Sequence, residues 1–508
     1  MNFKRLKNSR AAKNAGASYL AFVSTTLCGL FSIPVAVQYL TKEEIGLWST
    51  MHAIVGYLLW LDLGIGDATG RKIADAVAND DRTEINRWWT LSVGILAIQG
   101  VALVVVGTAL AAILPTLLGF AGGPLASTAF WLFLGLAVVS AFSMPFRVYP
   151  GILLAQERFH WVPITQAYMP WIQFGVFWFL LSRGCGVFGY MWGLAAAQIS
   201  AWIQYSLQIH VFSISPRPDF NGFKRKRFND LFAFSSNLAF FGVSRAILSS
   251  IPAIILTRFG GLALVPVYNL TGRVPGMITS IAQRTNHAFL PNLQRLYISG
   301  DHDRFRAKYR EVNQLTVWIS LGIASVVLAF NRPLISWLAN ADFFAGHWTN
   351  LWLACGCLVV PFSGNIFSLL QYSGNMGKSG VFTLAQIVVA APLGWLALRQ
   401  CGLPGVAAVF VFLPLVIQTP YGWIRGARNC GFSGWDLCGR ASISFAISIA
   451  MVLIAGAWIA SGPASGHPIE ILGRATSMPT FRELAAGTVL GTVAITLAFS
   501  RLKFIQKS

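Results

Sequence analysis

Long apolar segments separated by short polar ones run through almost the whole chain, and they restrict it to one fold class. An α-helix needs roughly 20 mostly apolar residues to cross the hydrocarbon core of a bilayer. Fourteen segments meet this requirement: 15–40, 46–69, 90–115, 126–155, 162–181, 187–212, 231–257, 262–290, 313–331, 346–372, 379–400, 403–424, 441–461 and 484–500. The sequence therefore predicts an all-α polytopic membrane protein with about fourteen transmembrane helices, twelve being the alternative count.

The balance of charges agrees with this class and argues against a nucleic-acid partner. Only 11% of the residues are charged and 55% are hydrophobic, whereas a soluble chain carries about 25% charged residues. The net charge of +20 would suit nucleic acid if the basic residues were gathered on one soluble face. Here they form short clusters between apolar segments, so we expect a bilayer and no nucleic acid around this chain.

The basic clusters also predict an orientation. If the N-terminus is cytoplasmic, 27 of the 38 lysines and arginines lie in cytoplasmic segments and seven lie outside. Such an excess is typical of the cytoplasmic side of bacterial membrane proteins. The first apolar segment, 15–40, is longer than the core of a signal peptide, so we expect it to be retained. Both termini are therefore predicted to be cytoplasmic.

Two halves of the chain share a pattern of short motifs. Ile33-Pro34 precedes a span and a loop with Asp80-Asp81-Arg82, and Ile251-Pro252 precedes a span and a loop with Asp303-Arg304, all at offsets close to 220 residues. An even number of spans before each repeat predicts two parallel bundles around a central cavity. The predicted domains are a bundle over 1–212, a basic solvated cytoplasmic linker over 213–230, a second bundle over 231–424, and two additional spans over 425–508.

The stretch LDLGIGDATGRK, residues 61–72, approaches a dinucleotide-binding fingerprint. That fingerprint needs G-x-G-x-x-G between a strand and a helix, but position 69 is Thr and a span precedes the motif. Residues 374–379, GNMGKS, likewise lack the first glycine of a phosphate-binding loop. The seven cysteines are scattered, with no histidine at metal-ligand spacing. We therefore expect no cofactor, no metal and no catalytic ATP site.

Taken together, Pro34 through Trp48, the LDLGIGDATGRK stretch, the following NDDR and the LAQERF of residues 154–159 resemble the polysaccharide-export, or O-antigen, branch of the multidrug/oligosaccharidyl-lipid/polysaccharide flippase superfamily. The chain departs from that pattern at Leu40-Thr41, where Leu-Gly is frequent, and at Leu47-Trp48, where Tyr-Gly is common. These departures leave the substrate branch open.

The resemblance implies a transporter and not an enzyme. It implies a flippase that moves a polyprenyl-diphosphate-linked oligosaccharide, such as a lipopolysaccharide precursor, across the bacterial inner membrane by alternating access. A glycan polymerase and other assembly proteins are the partners that it implies.

Charged residues within the spans are the candidate site. An arginine at a helix centre costs about 2.5–3.5 kcal/mol on insertion scales, so it usually faces a cavity or a partner. We expect the four intramembrane arginines to line a central cationic cavity matched to a diphosphate, because a guanidinium pairs with phosphate oxygens in a fork. Snorkelling to the interface, or bonding to carbonyls, is the alternative. The four are Arg147, Arg245, Arg273 and Arg284.

The glycine-rich motif itself is interpreted as structural. Gly64 and Gly66 would let the helix end pack closely against a neighbour, and Asp67 can pair with Arg71 one turn later. Asp62 lies deep in a span, where it could carry a coupling ion or make a helix-packing hydrogen bond.

Two rival functions make different demands on the sequence. A cation-coupled multidrug antiporter of the same superfamily should have buried acids, whereas these spans are net positive. A membrane-embedded glycan polymerase, ligase or transferase should place catalytic acids in a sizeable outer loop. The largest outer loop, 461–483, holds Glu470 and Glu483 in no recognisable pairing, which disfavours an enzyme. A scaffold without transport would have no pathway to justify buried arginines.

Overall fold

Helices make up almost all of the described chain in the computed structural model. The described residues are 10–59, 64–156, 160–211, 215–372, 379–432, 440–462, 468–471, 474–477 and 479–505. The longer helices are α1 (Arg10–Tyr39), α2 (Lys42–Leu59), α3 (Ile65–Ala78), α4 (Arg82–Leu117), α5 (Ala126–Ser143), α6 (Tyr149–Ala155), α7 (Trp161–Ser182), α8 (Phe188–Ser206), α9 (Arg225–Ile255), α10 (Leu264–Ile298), α11 (His302–Leu338), α12 (His347–Tyr372), α13 (Ser379–Leu413), α14 (Arg440–Ala460) and α15 (Phe481–Ile505).

Each of the fourteen predicted spans contains helix among its described residues. Among the described residues, eight helical segments are long and apolar enough to cross a membrane. One of them, 380–426, contains two predicted spans, and Gly402 breaks it with a left-handed φ of 64°. The all-α polytopic class is therefore confirmed, while the orientation of the termini stays a prediction.

Short irregular turns join several helices. A 3₁₀ turn, Met144–Val148, connects α5 to α6, and another, Phe220–Gly222, precedes α9. A π-helical turn, Leu207–Val211, ends α8. Between α14 and α15, β1 (Pro468–Ile471) and β2 (Arg474–Ser477) form an antiparallel hairpin in which Pro468 pairs with Ser477.

Side-chain caps fix where three of the long helices begin. The Asp81 carboxylate accepts a hydrogen bond from the Glu84 amide, and the Asp301 carboxylate accepts one from the Arg304 amide. These bonds satisfy amide groups that a helix start leaves unpaired. Thr41 and Glu44 form a reciprocal capping box at the start of α2. The Asp81 and Asp301 caps are 220 residues apart, the offset of the predicted duplication.

The chain divides into two compact units, Met1–Ser250 and Ile251–Ser508. The boundary lies within α9, about twenty residues after the predicted linker, and α14 and α15 belong to the second unit. The domain boundaries predicted from the sequence stay a prediction.

In the first unit, α3 packs against α4 and α6, and α7 packs against α1 and α8. Its largest apolar core includes the fully buried Ile73, Leu96 and Ile152.

In the second unit, α11 and α12 are the most buried apolar helices. α15 lies along α11, where a Cβ atom on Gly487 would lie 2.6 Å from Cβ of Ala329. Gly487 and Gly491 form a G-x-x-x-G pair, a spacing that lets membrane helices approach closely. The cysteines Cys355 and Cys357 are buried in α12.

Candidate functional site

A cavity of about 380 Å³ lies inside the first unit, among α2, α5, α7, α8 and the turn that joins α5 to α6. Its volume is within the range of small-ligand sites, roughly 300–1,000 Å³. The residues that line it are His52, Val55, Gly56, Val139, Ser140, Ser143, Phe146, Arg147, Pro150, Gln166, Met169, Leu194, Gln198, Ala201, Trp202 and Tyr205.

Arg147 is the cationic residue of this wall, and the glycine motif fixes its backbone. Arg147 lies on the 3₁₀ turn Met144–Val148. A Cβ atom on Gly66 would lie 2.5 Å from the Arg147 carbonyl oxygen, and one on Gly70 would lie 2.7 Å from Cα of Gly151. Gly66 and Gly70 thus form a G-x-x-x-G pair that lets α3 touch the backbone of this turn and of α6. The motif near the end of the second predicted span therefore sets the position of Arg147.

Aromatic contacts shape two parts of the cavity wall. The Trp202 ring stacks on Phe146 with centroids 5.0 Å apart and planes 11° from parallel. His52 stacks on Trp48 at 5.3 Å, and Trp48 stacks on Tyr190 at 4.6 Å. These contacts hold large rings in fixed positions beside the polar side chains.

The wall is mostly apolar, with one arginine and several hydrogen-bonding side chains set in it. Its hydrogen-bonding groups are the amides of Gln166 and Gln198, the hydroxyls of Ser140 and Ser143, and the Tyr205 phenol. Among the described residues that line the cavity, none is acidic. The Arg147 guanidinium and these neutral groups are suited to an anionic group carried by a hydroxyl-rich molecule, while the apolar part of the wall offers contact to its carbon skeleton.

The other sequence-predicted arginines are placed separately. Arg273 lies in α10 of the second unit and is exposed. Arg245 and Arg284 lie on α9 and α10, and their side chains are outside the described part of the structure. The central cavity between the two halves stays a proposal.

The predicted motif around Asp62 is described in part. Asp62 lies outside the described residues, and the Asp67 side chain does too, although its backbone belongs to α3. Gly64 caps the start of α3 with φ 69°, a left-handed conformation that favours glycine. Arg71 is exposed on the same helix. Ion coupling by Asp62 and the Asp67–Arg71 pair stay predictions.

Sequence reasoning missed a buried charged cluster in the second unit. Glu483 was expected in the outer loop without a recognisable partner, but it is completely buried in the first turn of α15. Its Oε1 atom lies 3.8 Å from Nη1 of Arg332 and 3.9 Å from Nδ1 of His347. Its Oε2 atom accepts a hydrogen bond from the Thr480 amide. Arg332, one of the seven basic residues predicted to lie outside the cytoplasm, is only 6% exposed.

Buried amides extend the polar interior of the same unit. The Asn331 amide nitrogen donates to Oδ1 of Asn350 at 2.7 Å and to the Thr271 carbonyl at 3.0 Å. Two signals in the sequence could have pointed to this region: the T-x-x-E capping pattern at 480–483 and the polar residues within the apolar second half of α11. Neither reveals burial, because the partners are far apart in the chain.

The described residues include no group of three or more histidine, cysteine, aspartate or glutamate side chains able to hold a metal ion.

Comparison with known proteins identifies the family. The sequence model of the family described as "Polysaccharide biosynthesis protein" matches residues 35–343. No curated protein matches the chain by sequence.

Several solved transporters share the fold at low sequence identity. An inward-facing multidrug resistance MATE family transporter of the MOP superfamily matches with a TM-score of 0.65 and 16% identity, over 80% of this chain and 96% of its own. An outward-facing MATE family structure matches with a TM-score of 0.59 and 16% identity, over 83% and 96%.

A MOP superfamily transporter from Pyrococcus furiosus matches with a TM-score of 0.60 and 16% identity, over 83% and 95%; its structure is described as having a binding pocket of reverse polarity that suggests a different function. The chain therefore belongs to the polysaccharide biosynthesis protein family, and it shares its fold with transporters of the multidrug/oligosaccharidyl-lipid/polysaccharide (MOP) superfamily.

Proposed function

We propose that this protein is a flippase that moves a polyprenyl-diphosphate-linked oligosaccharide across the bacterial inner membrane by alternating access. The observation that carries the proposal is the cavity of the first unit, where Arg147 stands among neutral polar and aromatic side chains. The family supports a role in polysaccharide biosynthesis, and the fold is that of membrane transporters.

Each part of such a substrate has a counterpart in the cavity wall. The Arg147 guanidinium pairs with diphosphate oxygens. Gln166, Gln198 and Ser140 exchange hydrogen bonds with sugar hydroxyls. The fixed ring of Trp202 offers an apolar face to a sugar ring. The polyprenyl chain stays in the lipid, because its hydrocarbon is already in an apolar environment there.

The cationic site extends, in this proposal, to the other intramembrane arginines. Arg245, Arg273 and Arg284 would meet the diphosphate at other stages of the cycle, since an arginine within a membrane span usually faces a cavity or a partner. The glycan polymerase and related assembly proteins would take the substrate on the far side.

The charge of the cavity wall distinguishes the proposed flippase from a cation-coupled multidrug antiporter. A site for a cationic drug needs carboxylates, and the described wall of the cavity carries an arginine and a histidine with no acid. The pocket of the Pyrococcus furiosus transporter, described as reversed in polarity, is a precedent for a change of function within this fold.

The proposal is tested in the bacterium that carries the gene. Depletion of the protein should cause lipid-linked oligosaccharide to accumulate on the cytoplasmic face, and wild type should reverse this. Arg147→Ala should insert normally and fail to rescue, since it removes the guanidinium and leaves the backbone packing intact.

The matched control is Arg183→Ala, which removes an exposed arginine outside the cavity and should rescue fully. Rescue by Arg147→Ala would reject the cationic cavity. If depletion leaves glycan export unchanged and makes cells sensitive to cationic drugs, the antiporter function is correct instead.

A further inference from the structure

Residues 215–224, part of the solvated linker predicted over 213–230, are hydrogen-bonded to the first three turns of α4. The Arg217 amide donates to Oδ1 of Asn86 at 2.9 Å, and the Asp219 amide donates to the Thr90 hydroxyl at 2.8 Å. Nε of Arg87 lies 3.1 Å from Oδ2 of Asp219. Backbone and side chain of this segment are therefore held in one place.

A second set of contacts joins the start of α9 to α4. Nη2 of Arg227 lies 2.6 Å from Oε1 of Glu84, and the Arg227 guanidinium lies 5.1 Å from the centroid of the buried Trp88 ring. Gly222 fits against the backbone of Arg87, where an added Cβ would lie 2.5 Å from the carbonyl oxygen. The carboxylates of Asp219 and Glu84 are therefore already paired with Arg87 and Arg227.

The outward side of the same segment combines exposed aromatic rings with exposed basic side chains. Phe220 is 74% exposed, Phe223 49% and Phe228 40%. Lys224, Arg225 and Lys226, which lie between these rings in the chain, are exposed as well, and the first turn of α9 contains no acidic residue. We call residues 217–228 the basic–aromatic segment.

The segment lies beside the apolar part of a predicted span. The tip of the Phe223 ring would lie 2.6 Å from a Cβ atom on Gly94. Gly94 is twelve residues after the first residue of α4 and falls inside the predicted span 90–115. Phe223 therefore contacts α4 one turn inside the predicted span.

We infer that the basic–aromatic segment binds anionic phospholipid headgroups at the membrane surface beside α4. Phe220 and Phe223 insert at the boundary between headgroups and acyl chains, as aromatic residues of interfacial segments do. Lys224, Arg225 and Lys226 bind the lipid phosphates, as juxtamembrane basic clusters do. Lipid binding explains why one side of the segment is bonded to α4 while its aromatic rings and basic side chains stay exposed on the other side. It does not depend on the proposed transport.

The test counts the phospholipids bound to the purified full-length protein. Mixed micelles with equal amounts of phosphatidylglycerol and phosphatidylcholine are the probe, and native mass spectrometry is the readout. Wild type should retain phosphatidylglycerol in preference to phosphatidylcholine. The triple variant Lys224→Ser, Arg225→Ser, Lys226→Ser should retain roughly fivefold less phosphatidylglycerol, with phosphatidylcholine unchanged.

A second variant and a matched control keep this result interpretable. Phe220→Ser removes one exposed ring, keeps every charge, and should also lower phosphatidylglycerol retention. Arg295→Ser, Arg425→Ser, Arg428→Ser removes the same charge from exposed positions of the second unit and should leave retention unchanged. Equal losses in the two triple variants, or no preference in wild type, would overturn the inference. Displacement of phosphatidylglycerol by polyprenyl diphosphate would do so too, because the segment would then be a site for the substrate's carrier.

Discussion

Gly70 and Gly151 face each other so closely that a Cβ atom on Gly70 would lie 2.7 Å from Cα of Gly151. A Cβ atom on Gly151 would in turn lie 2.6 Å from the Gly66 carbonyl oxygen. Real Cβ atoms do not approach backbone atoms this closely, so any side chain here forces α3 and α6 apart. The packing of α3 thereby determines where Arg147, four residues before Gly151, stands in the cavity wall.

Gly70→Ala should destabilise the protein, by about 1–3 kcal/mol, because the clash is with backbone and no flexible side chain is available to move. The measurement is the apparent melting temperature in detergent. Gly175→Ala in α7 is the control, since nothing lies within 4 Å of the added Cβ and alanine favours a helix. Equal melting temperatures for the two variants would contradict the close contact.

Glu483→Gln should be strongly destabilising because it leaves the buried Arg332 charge without its carboxylate. Breaking a buried ion pair by removing one partner costs about 3–5 kcal/mol, whereas replacing both partners costs less. The double variant Glu483→Gln, Arg332→Met should therefore lose less free energy of unfolding than the two single variants lose together. Unfolding free energies of all four proteins, measured in denaturant, complete the cycle.

Arg304→Ala is the comparison for that cycle. The Arg304 side chain is 82% exposed and lies 3.4 Å from Asp301, so its removal should change stability by no more than about 0.5 kcal/mol. Additive effects of Glu483→Gln and Arg332→Met would show that the two buried groups do not interact.

Arg87→Ala should release residues 215–224 from α4 with little loss of overall stability, since its partners Glu84 and Asp219 are partly exposed and such pairs contribute about 1 kcal/mol or less. The released segment should be cut by trypsin several times faster than in wild type, because local opening governs cleavage. Lys308→Ala removes the comparable Lys308–Glu311 pair of the second unit. Lys308→Ala should therefore leave the rate of cleavage in residues 215–224 unchanged. If Arg87→Ala is also cleaved at the wild-type rate, the Arg87 ion pair does not hold the segment on α4.

Cys430 should resist alkylation at neutral pH. Burial raises the pKa of the Cys430 thiol to about 11, and the thiolate is the reactive form. In variants that keep one cysteine each, the exposed Cys185 should be labelled by a maleimide at least roughly tenfold faster than Cys430 at about pH 8. Labelling of Cys430 should rise as the pH approaches its pKa.

The raised pKa of Cys430 also predicts how the stability of the protein changes with pH. The folded protein holds the Cys430 proton more tightly than the unfolded chain, so this group's contribution to stability is complete below the unfolded pKa of about 8.5 and is lost as the pH rises towards about 11. Equal labelling rates for Cys430 and Cys185 in the folded protein would contradict the burial.

The helices were predictable because lipid leaves a spanning segment no other way to satisfy its backbone. The capped starts of α4 and α11 were also local, since Asp81 and Asp301 bond to amides three residues later. The close packing of Gly66 and Gly70 could be expected from their spacing. That their partners are Arg147 and Gly151 could not, because pairing between helices is set by the whole bundle.

The features that sequence reasoning missed depend on residues far apart in the chain. Glu483 is brought to Arg332 across about 150 residues, and a capping glutamate with no visible partner resembles an ordinary surface residue. Arg87 meets Asp219 across 132 residues. A run of basic residues such as 224–227 is usually solvated, and only the structure reveals that its neighbours are docked on α4.

The most direct test of the account is translocation by the purified protein in proteoliposomes. One substrate is a labelled oligosaccharide on polyprenyl diphosphate, and the other carries the same sugars on a neutral lipid. The account predicts that wild type and Arg183→Ala move the diphosphate-linked glycan to the opposite leaflet, that Arg147→Ala does not, and that the neutral glycolipid stays in place. Equal movement of both lipids, or undiminished movement by Arg147→Ala, would contradict the cationic cavity as the substrate site.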